Sequence, residues 1–501
     1  MLDSFNLFSA EISVLCEETP CDAVCRSQTD GNSLSVFLSA EQGRPRFVSF
    51  RWDVPVAKDL LVLGDAWERS YGDLAFLRVS DQARAMPWYF MITDRKSSFC
   101  FGVKTQPSAF ISFRITEEGI TALADCRNGG GGVILNGREL PLCTFVFRRY
   151  DNADPFAALC DFCKTLSPAA IAPDFPVYGG NDWYNAYGAN SYETVLSAAR
   201  IHSECAVKTG YAPFMVIDDG WEQGDTAGPW LPNEKFGDMR ALRDEIRSLG
   251  LRAGIWIRPL KTDDPAVPDK FKIYREGKRE YLDPTYPAVQ ELIRTDIARI
   301  KSWGFDLIKH DYSTYDLFGD WGKDLSDRVP KTETWHFYDR TKTNAEIVLD
   351  LYRLIRDAAT DMLLIGCNTV SHLCAGLVEI NRTGDDTSGR DWSRTRKMGV
   401  NTLAFRLAQN RAFYLVDADC VGMPKGAIPW QKNRQWMELL AYSGTALFLS
   451  LDEITDEQKA DIMAAYKTAQ RTHTIKPTDW FDSLTPSVWE IDGAAVTFDW
   501  N

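Results

Sequence analysis

The sequence predicts a (β/α)8 TIM barrel that follows an N-terminal antiparallel β-sandwich. Short apolar runs separated by polar turns fill residues 1–172, and eight units of an apolar strand followed by a helical pattern fill residues 173–455. Residues 456–501 carry one helical pattern and two short strand patterns, which predict a small C-terminal appendix. A chain of 501 residues exceeds a usual single domain, so we expect separate units.

The first unit contains short β-like runs, for example at residues 33–38, 46–50, 88–92 and 109–113. Polar turns separate them, a pattern typical of an antiparallel sandwich. Trp67 lies between two of these runs, and its indole either reaches over the mouth of the following barrel or belongs to the core. The role of the first unit stays open at this point.

The second unit contains eight predicted strands, at residues 177–183, 214–218, 251–257, 306–309, 362–367, 378–381, 413–416 and 446–449. Helical patterns fill the intervals, at residues 192–204, 239–248, 288–303, 344–360, 393–409 and 433–441. This repetition matches a (β/α)8 barrel. In that architecture, the reacting groups stand at the carboxyl ends of the strands.

Charge and aromatic content narrow the class of function. The chain has 56 Lys and Arg against 70 Asp and Glu, a net charge of −14, which argues against nucleic acid and anionic membranes as partners. The 16 Trp exceed what packing asks for, and such rings stack on sugar faces. We therefore expect a soluble protein with an uncharged oligosaccharide or glycoside as substrate, and a homo-oligomer is left open.

The cysteines predict neither a zinc site nor a disulfide framework. Of the 12 Cys, only Cys160 and Cys163 have C-x-x-C spacing, and a zinc site needs a second such pair. The N-terminus lacks a basic start followed by an apolar stretch, and no run approaches about 18 apolar residues. Many unpatterned thiols in such a chain favour a reducing compartment. The sequence thus predicts a cytoplasmic protein without membrane span, metal or cofactor.

The most informative residue is Asp311, a carboxylate at the end of the apolar run that contains the predicted strand 306–309. Lys309 points to the same side of this strand, where its ammonium can keep Asp311 ionised. The sixth strand also ends in acids, Asp385 and Asp386, and either of them could face the cavity. Two opposed carboxylates, here a nucleophile and a proton donor, are what the cleavage of a glycosidic bond requires.

Other strand ends carry groups suited to a sugar. Asp218 and Asp219 end the second strand beside Trp221, and Trp256 lies at the end of the third. Adjacent carboxylates can accept hydrogen bonds from neighbouring sugar hydroxyls, while an indole covers an apolar sugar face. Arg382, just before the acids of the sixth strand, either holds a substrate hydroxyl or orients a carboxylate.

In order and spacing, these motifs resemble those of the α-galactosidases of glycoside hydrolase clan D, especially family 36. The matching segments are Asp218-Asp219-Gly220-Trp221, residues 233–236, residues 250–256, Lys309-His310-Asp311 and Thr383-Gly384-Asp385-Asp386-Thr387. They extend over the whole barrel, and an N-terminal β-sandwich is also similar to family 36.

The resemblance implies a retaining, exo-acting glycoside hydrolase that cleaves terminal α-galactosides by double displacement through a covalent glycosyl-enzyme. Asp311 would be the nucleophile, and Asp385 would be first the acid and then the base. The implied substrate-binding residues are Asp218 and Asp219 at the C4 and C6 hydroxyls, Lys309 at a ring hydroxyl, Arg382 near the C2 substituent, Trp183, Trp221 and Trp256 as cavity walls, and Cys367 and Asp386.

The chain departs from the family 36 pattern at two strand ends. His310 stands where the family usually has Trp, and Gly366-Cys367-Asn368-Thr369 replaces a glycine-rich fifth strand end, which leaves the substituent recognised at C2 open. The chain after residue 456 is also shorter than the expected β-domain. An α-N-acetylgalactosaminidase of the same clan therefore stays open as an alternative. A transglycosylase also stays open, because a sugar hydroxyl can intercept the same intermediate instead of water.

Two interpretations come from other classes of protein. A metal-dependent barrel enzyme could hold a hard cation with Asp218, Asp219, Asp311 and Asp385, although the nearby Lys and Arg would oppose the cation. A non-catalytic sugar-binding barrel would have kept the fold and lost turnover. The presence of an acid on both sides of the cavity counts against it.

Overall fold

The computed structural model describes residues 2, 4–81, 84–167, 169–208, 210–325 and 335–501. Two antiparallel sheets form the N-terminal domain. The first has the strand order Glu11–Cys16, Pro45–Asp53, Gly119–Asp125, Phe110–Thr116 and Met86–Pro87. The second has the strand order Val24–Asp30, Ser33–Ser39, Leu140–Tyr150, Ser98–Val103, Tyr89–Thr93, Leu61–Gly64 and Leu77–Arg78.

The two sheets enclose an aromatic core. Every second residue of strand Ser33–Ser39 is buried, as expected when successive side chains point to opposite faces. Trp52 and Phe145 come from different sheets, and their ring centroids lie 5.4 Å apart in an edge-to-face arrangement. Such a ring pair adds about 1 kcal/mol to the free energy gained from burial alone. Strand alternation therefore builds the sandwich that the sequence predicts.

The barrel strands are parallel and form a closed ring. Their bounds are Tyr178–Asn181, Phe214–Ile217, Arg252–Ile257, Leu307–His310, Leu363–Gly366, Ile380–Arg382, Leu415–Asp417 with Val421–Met423, and Leu447–Leu451. The two pieces of the interrupted seventh strand pair with the sixth and the eighth strand. The eighth strand pairs with the first, and the Ala446 N–H donates to the Val416 oxygen at 2.9 Å. The predicted TIM barrel after a β-sandwich is confirmed.

Helices cover the outside of this ring. The longer ones span Tyr192–Cys205, Met239–Ser248, Pro287–Trp303, Asn344–Ala359, Trp430–Ser443 and Asp456–Ala469, and Pro155–Leu166 links the two domains. Shorter helices span Trp183–Ala186, Ser313–Phe318 and Ser371–Cys374. The longer helices of the barrel occur where the apolar periodicity predicts them, because each buries one apolar stripe against the strands. The three shorter helices were not predicted from the sequence.

One predicted helix is irregular. Residues 393–409 form α-helical pieces at Trp392–Arg394 and Thr402–Arg406, a π-helical stretch at Thr395–Asn401 and a 3-10 turn at Leu407–Gln409. The π-helical stretch lies against the end of the sixth strand, where a Cβ on Gly384 would stand 2.4 Å from the Met398 carbonyl oxygen. Such wide turns are frequent at functional sites. This contact is tertiary, so the periodicity of the segment does not encode it.

The C-terminal residues form a helix of the outer ring and a separate small sheet. Helix Asp456–Ala469 belongs to the outer ring and packs beside helix Tyr192–Cys205. The Tyr466 hydroxyl of the first helix lies 2.6 Å from the His202 Nδ1 of the second. A three-stranded sheet follows, with strands Ile475–Pro477, Val488–Ile491 and Ala494–Thr497. The appendix is thus a sheet attached to a complete barrel.

The cysteines form one disulfide that the sequence analysis did not predict. Cys16 and Cys21, which flank a short loop after the first sandwich strand, form a disulfide, and the other ten cysteines are free. The spacing alone gave no sign of this pair, because the two residues are brought together by the strand end. Within the described ranges, no helix combines the length and the apolar character needed to cross a membrane.

Candidate active site

A cavity of about 570 Å³ opens at the carboxyl ends of the barrel strands. Its size suits a small ligand, since such sites usually measure about 300–1,000 Å³. Ten of the predicted site residues line it: Trp183, Asp218, Asp219, Trp256, Lys309, Asp311, Cys367, Arg382, Asp385 and Asp386. The eleventh, Trp221, does not. The strand ends therefore bring together residues that lie up to 203 positions apart in the chain, as between Trp183 and Asp386.

Asp311 is held as a carboxylate by several donors. Its Oδ1 accepts from the Tyr312 N–H at 2.7 Å and from the Asn368 side-chain amide, and its Oδ2 accepts from the Trp256 Nε1 at 3.1 Å. Burial alone would raise its pKa. The Lys309 ammonium, these hydrogen bonds and the Arg69 charge outweigh burial and lower the pKa of Asp311 to about 2. Asp311 is therefore ionised at any physiological pH.

Lys309 is paired with the acid of the second strand. Its Nζ lies 2.7 Å from Oδ2 of Asp218, which also accepts from the Asn181 amide at 2.6 Å. Burial opposes the charge, but the Asp218 carboxylate raises the pKa of Lys309 well above its ordinary value. The ammonium thus stays charged between two carboxylates, Asp218 and Asp311, and can donate to a ligand.

Asp219 is linked to an acid that the sequence analysis did not single out. The Thr226 hydroxyl donates to Asp219 at 2.9 Å, and the carboxyl of Glu222 interacts with that of Asp219. Burial, followed by the neighbouring Asp219, raises the pKa of Glu222 to about 9. At neutral pH the Glu222 carboxyl is protonated and can donate a hydrogen bond to Asp219.

Asp385 and Asp386 both reach the cavity but have different surroundings. Both oxygens of Asp385 are paired, Oδ1 with Arg69 at 3.2 Å and Oδ2 with Arg394. Asp386 is more open, with 38% of its side chain exposed against 13% for Asp385, and its Oδ1 contacts Arg382 at 3.0 Å. Burial opposes the change, but the charges of Arg382, Arg69 and Lys309 lower the pKa of Asp386.

Arg382 is fixed by an acid from the interrupted seventh strand. Its Nη2 lies 2.8 Å from Oδ2 of Asp419, which also accepts from the Tyr184 hydroxyl and, at 2.6 Å, from the Thr387 N–H. Burial opposes the charge, but the Asp419 carboxylate raises the pKa of Arg382 well above its ordinary value. The guanidinium is a permanent cation on the cavity floor.

Of the three indoles predicted as cavity walls, two line the cavity and one does not. Trp256 and Trp183 line the cavity. Trp221 is fully buried, and its Nε1 donates to the Trp256 carbonyl oxygen at 2.9 Å. Its ring contacts Trp230, with centroids 6.1 Å apart. The prediction that Trp221 is a cavity wall is corrected: its ring turns into the core and supports Trp256 from behind.

The two departures from the family pattern lie close to Asp311. His310 is fully buried beside the Tyr352 ring, and burial lowers its pKa to about 4, so it is a neutral packing residue. Cys367 is buried in the cavity wall, and its pKa is raised well above the ordinary value because burial disfavours the thiolate. Its neighbour Asn368 supplies the amide that holds Asp311.

Several lining residues were missed by the sequence analysis. Asn181 ends the first strand of the structure, and Asn368 and Asp419 lie two positions after the ends of other strands, so the position rule that selected Asp311 could have found them. Arg69 and Tyr71 come from the N-terminal domain, and no local pattern marks them. Arg69 lies two positions after Trp67, which is itself buried against Trp88 at a centroid distance of 4.8 Å. Trp67 is therefore a core residue, while its neighbour enters the cavity.

A metal centre has no visible support in the described ranges. Within them, no group of three or more His, Cys, Asp or Glu side chains is arranged to hold an ion. The acids of the cavity are instead interleaved with Lys309, Arg382 and Arg69. Neutral and cationic donors around carboxylates suit hydrogen bonding to hydroxyl groups.

The sequence matches no model of a known protein family and no curated protein. Its structure is similar to that of an α-galactosidase from Thermus thermophilus, solved with p-nitrophenyl α-D-galactopyranoside, with a TM-score of 0.60, 15% identity, and coverage of 95% of this chain and 99% of the other. It is also similar to the GH36 α-galactosidase AgaA from Geobacillus stearothermophilus (TM-score 0.61, 13% identity, 94% and 71% coverage). An α-galactosidase from Lactobacillus brevis gives 0.61, 12%, 96% and 75%. At these identities the likeness establishes the shared fold.

Proposed function

We propose that this protein is a glycoside hydrolase that removes terminal α-galactosyl groups with retention of configuration. The observation that carries the proposal is the ionised Asp311, which shares one sugar-sized cavity with Asp385 and Asp386 at the carboxyl ends of the barrel strands. Galactose is the proposed sugar because the similar structures include an α-galactosidase bound to p-nitrophenyl α-D-galactopyranoside.

In the first step, an oxygen of Asp311 attacks the anomeric carbon as the bond to the leaving oxygen breaks. The lowered pKa of Asp311 supports this role, because a nucleophile must be ionised before it attacks. Trp256, Asn368 and the Tyr312 N–H hold the carboxylate in one orientation. A carboxylate fixed in this way is oriented for attack before the substrate arrives.

Asp386 is the better placed of the two candidate proton donors. Asp385 has both oxygens engaged by arginines, whereas Asp386 is more exposed and interacts with the charges of Asp311 and Lys309. We therefore assign to Asp386 the role that the family resemblance gave to Asp385.

The assignment to Asp386 makes one demand on its pKa. The neighbouring cations lower that pKa in spite of burial, which suits the later step in which the carboxylate accepts a proton from water. The first step requires that a bound sugar raise the pKa of Asp386, by excluding water and by taking up the hydrogen bond that Arg382 donates to this carboxylate. The donor is thus protonated only when the leaving oxygen is in place.

The remaining polar residues recognise the sugar hydroxyls. Asp218, Asp219 and Lys309 form one group at the second and fourth strand ends, and Arg382 with Asp419 forms another at the sixth and seventh. The first group would hold the C4 and C6 hydroxyls and the second the C2 hydroxyl. Trp183 and Trp256 would cover the apolar face of the ring.

A screen of p-nitrophenyl α- and β-glycosides tests the proposal. We expect release of nitrophenol from the α-galactoside alone, with the α-anomer of galactose as the first product seen by NMR. Inversion to the β-anomer would refute a covalent intermediate on Asp311. Binding of galactose without any release would refute catalysis.

A further inference from the structure

A segment of the N-terminal domain, residues 65–71, forms part of the cavity through Arg69 and Tyr71. Ser70 pairs with Gly384 as a short parallel bridge: the Ser70 N–H donates to the Thr383 oxygen at 2.9 Å, and the Asp385 N–H donates to the Ser70 oxygen at 3.1 Å. These bonds join backbone to backbone. The segment is therefore fixed relative to the loop that carries the two candidate proton donors.

A buried arginine fastens this junction from below. Nη1 of Arg406 donates to the carbonyl oxygens of Glu68 at 2.6 Å and Thr383 at 2.9 Å, one on each side of the domain boundary. Its Nε lies 2.9 Å from Oδ1 of Asp65, an acid of the same N-terminal segment. Charge-assisted bonds of this kind are stronger than neutral ones. Arg406 thus links the backbones of the two domains at this junction through hydrogen bonds.

Arg69 is the residue that this junction delivers to the cavity. One of its nitrogens, Nη1, lies 3.2 Å from Oδ1 of Asp385 and 3.4 Å from Oδ1 of Asp386. Only 7% of its side chain is exposed, and its Nε lies 3.3 Å from the fully buried carboxylate of Glu68. The guanidinium therefore contacts Glu68 through its Nε and both Asp385 and Asp386 through its Nη1.

We propose that Arg69 is a positioning residue for the proton donor, supplied to the barrel by the N-terminal domain. The planar guanidinium offers donors in a fixed fork, so it sets the orientation of the two neighbouring carboxyls relative to the leaving oxygen. This inference rests on the proposed function. It assigns the sandwich a part in the reaction. Without the segment, Asp385 and Asp386 would lose one of the three arginines that contact them, which are Arg69, Arg382 and Arg394.

The consequence falls on proton transfer. A displacement of a reacting group by about 1 Å can cost on the order of 100-fold in rate. Substrates with poor leaving groups need the proton most, whereas an aryl oxide leaves with little help. Loss of Arg69 should thus lower the rate on methyl α-galactoside more than the rate on p-nitrophenyl α-galactoside. Both substrates carry the same galactosyl group, so a loss of sugar binding alone would affect both equally.

The test compares Arg69→Ala, Arg69→Lys and the control Arg84→Ala in the full chain. Arg84 belongs to the same domain, and its Nη2 donates to the Gly64 oxygen at 3.3 Å, at the base of the segment. For Arg69→Ala we expect roughly 100-fold lower kcat/KM on methyl α-galactoside, a much smaller loss on the aryl substrate, and partial recovery when ethylguanidinium is added. Arg69→Lys should lie between, and Arg84→Ala should match the wild type on both substrates.

Equal losses of Arg69→Ala on both substrates, without recovery by ethylguanidinium, would overturn the inference and leave Arg69 a structural residue. Thermal unfolding identifies a variant that fails to fold, in which case Arg69→Lys carries the same comparison of leaving groups. A wild type that cleaves galactosides while Arg69→Ala behaves as Arg84→Ala overturns this inference alone. A wild type inactive on every galactoside overturns the proposed function as well.

Discussion

The two sides of the cavity hold their carboxylates in different ways. On the side of the fourth strand, Asp311 is held by Trp256, Asn368 and the next backbone N–H, with one ammonium nearby. On the side of the sixth strand, Asp385 and Asp386 face three guanidinium groups, from Arg69, Arg382 and Arg394. The groups that bond to Asp311 all belong to the barrel, and Arg69 acts on it only through its charge. Asp385 and Asp386, in contrast, are contacted directly by this arginine of the N-terminal domain.

This difference agrees with what each side would do in the proposed double displacement. A nucleophile needs one protonation state and one orientation, which fixed hydrogen bonds provide. An acid that later acts as a base must change its charge, so its surroundings must respond to the bound sugar. Arginines that can transfer their hydrogen bonds from carboxylate to substrate allow that change. The following predictions test the contrast, from the largest expected effect to the smallest.

Asp311→Asn should abolish turnover of every α-galactoside, whatever its leaving group. An amide cannot form the covalent intermediate, and loss of a catalytic nucleophile or its partners costs on the order of 10⁴-fold or more in kcat. Release of nitrophenol from p-nitrophenyl α-galactoside measures the effect, and calorimetric binding of galactose checks that the cavity survives. Turnover near the wild-type rate would exclude Asp311 as the nucleophile.

Asp386→Ala and Asp385→Ala should differ in their dependence on the leaving group. General acid catalysis contributes roughly 10²–10⁴-fold, so Asp386→Ala should lose this factor on methyl α-galactoside and much less on the aryl substrate. Asp385→Ala should show a smaller loss that is similar for both substrates, because its carboxylate serves mainly to pair with the arginines. The reverse pattern would return the role of proton donor to Asp385.

Lys309→Met should move the acidic limb of the pH dependence of kcat/KM to higher pH. Lys309 is the main group that lowers the pKa of Asp311 against burial, so its removal raises that pKa. Because the nucleophile must be ionised, activity is then lost at a higher pH as the solution is acidified. Lys96→Met, on an exposed sandwich turn, is the control. An unchanged acidic limb would mean that another group sets the ionisation of Asp311.

Glu222→Gln should have the smallest effect on rate and a measurable effect on stability. The folded-state pKa of Glu222 is raised to about 9, so the carboxyl destabilises the fold increasingly as pH rises from its ordinary value towards 9. Glutamine keeps a donor towards Asp219 without this cost. Thermal unfolding should therefore show a higher Tm for Glu222→Gln at pH 8 and little difference at pH 4. A lower Tm at pH 8 would mean that Glu222 is ionised in the fold.

The sequence by itself determined the barrel and most of the cavity floor. Strand ends converge at one rim in any parallel barrel, so polar residues that close apolar runs must meet there. This rule selected Asp218, Lys309, Asp311 and Arg382 without any tertiary information, and all four line the cavity. The same rule would have added Asn368, which lies two positions after the end of the fifth strand.

Only the tertiary structure decided what surrounds these groups. The contact of Arg69 with Asp386 spans 317 positions, and nothing in the local sequence reports a contact between two domains. Trp221 shares the motif of Asp218 and Asp219, yet its ring turns into the core because Trp256 and Trp230 leave that space for it. Periodicity fixes which side of a strand a residue occupies, whereas charge pairing, ring orientation and the junction with the sandwich depend on packing between distant segments.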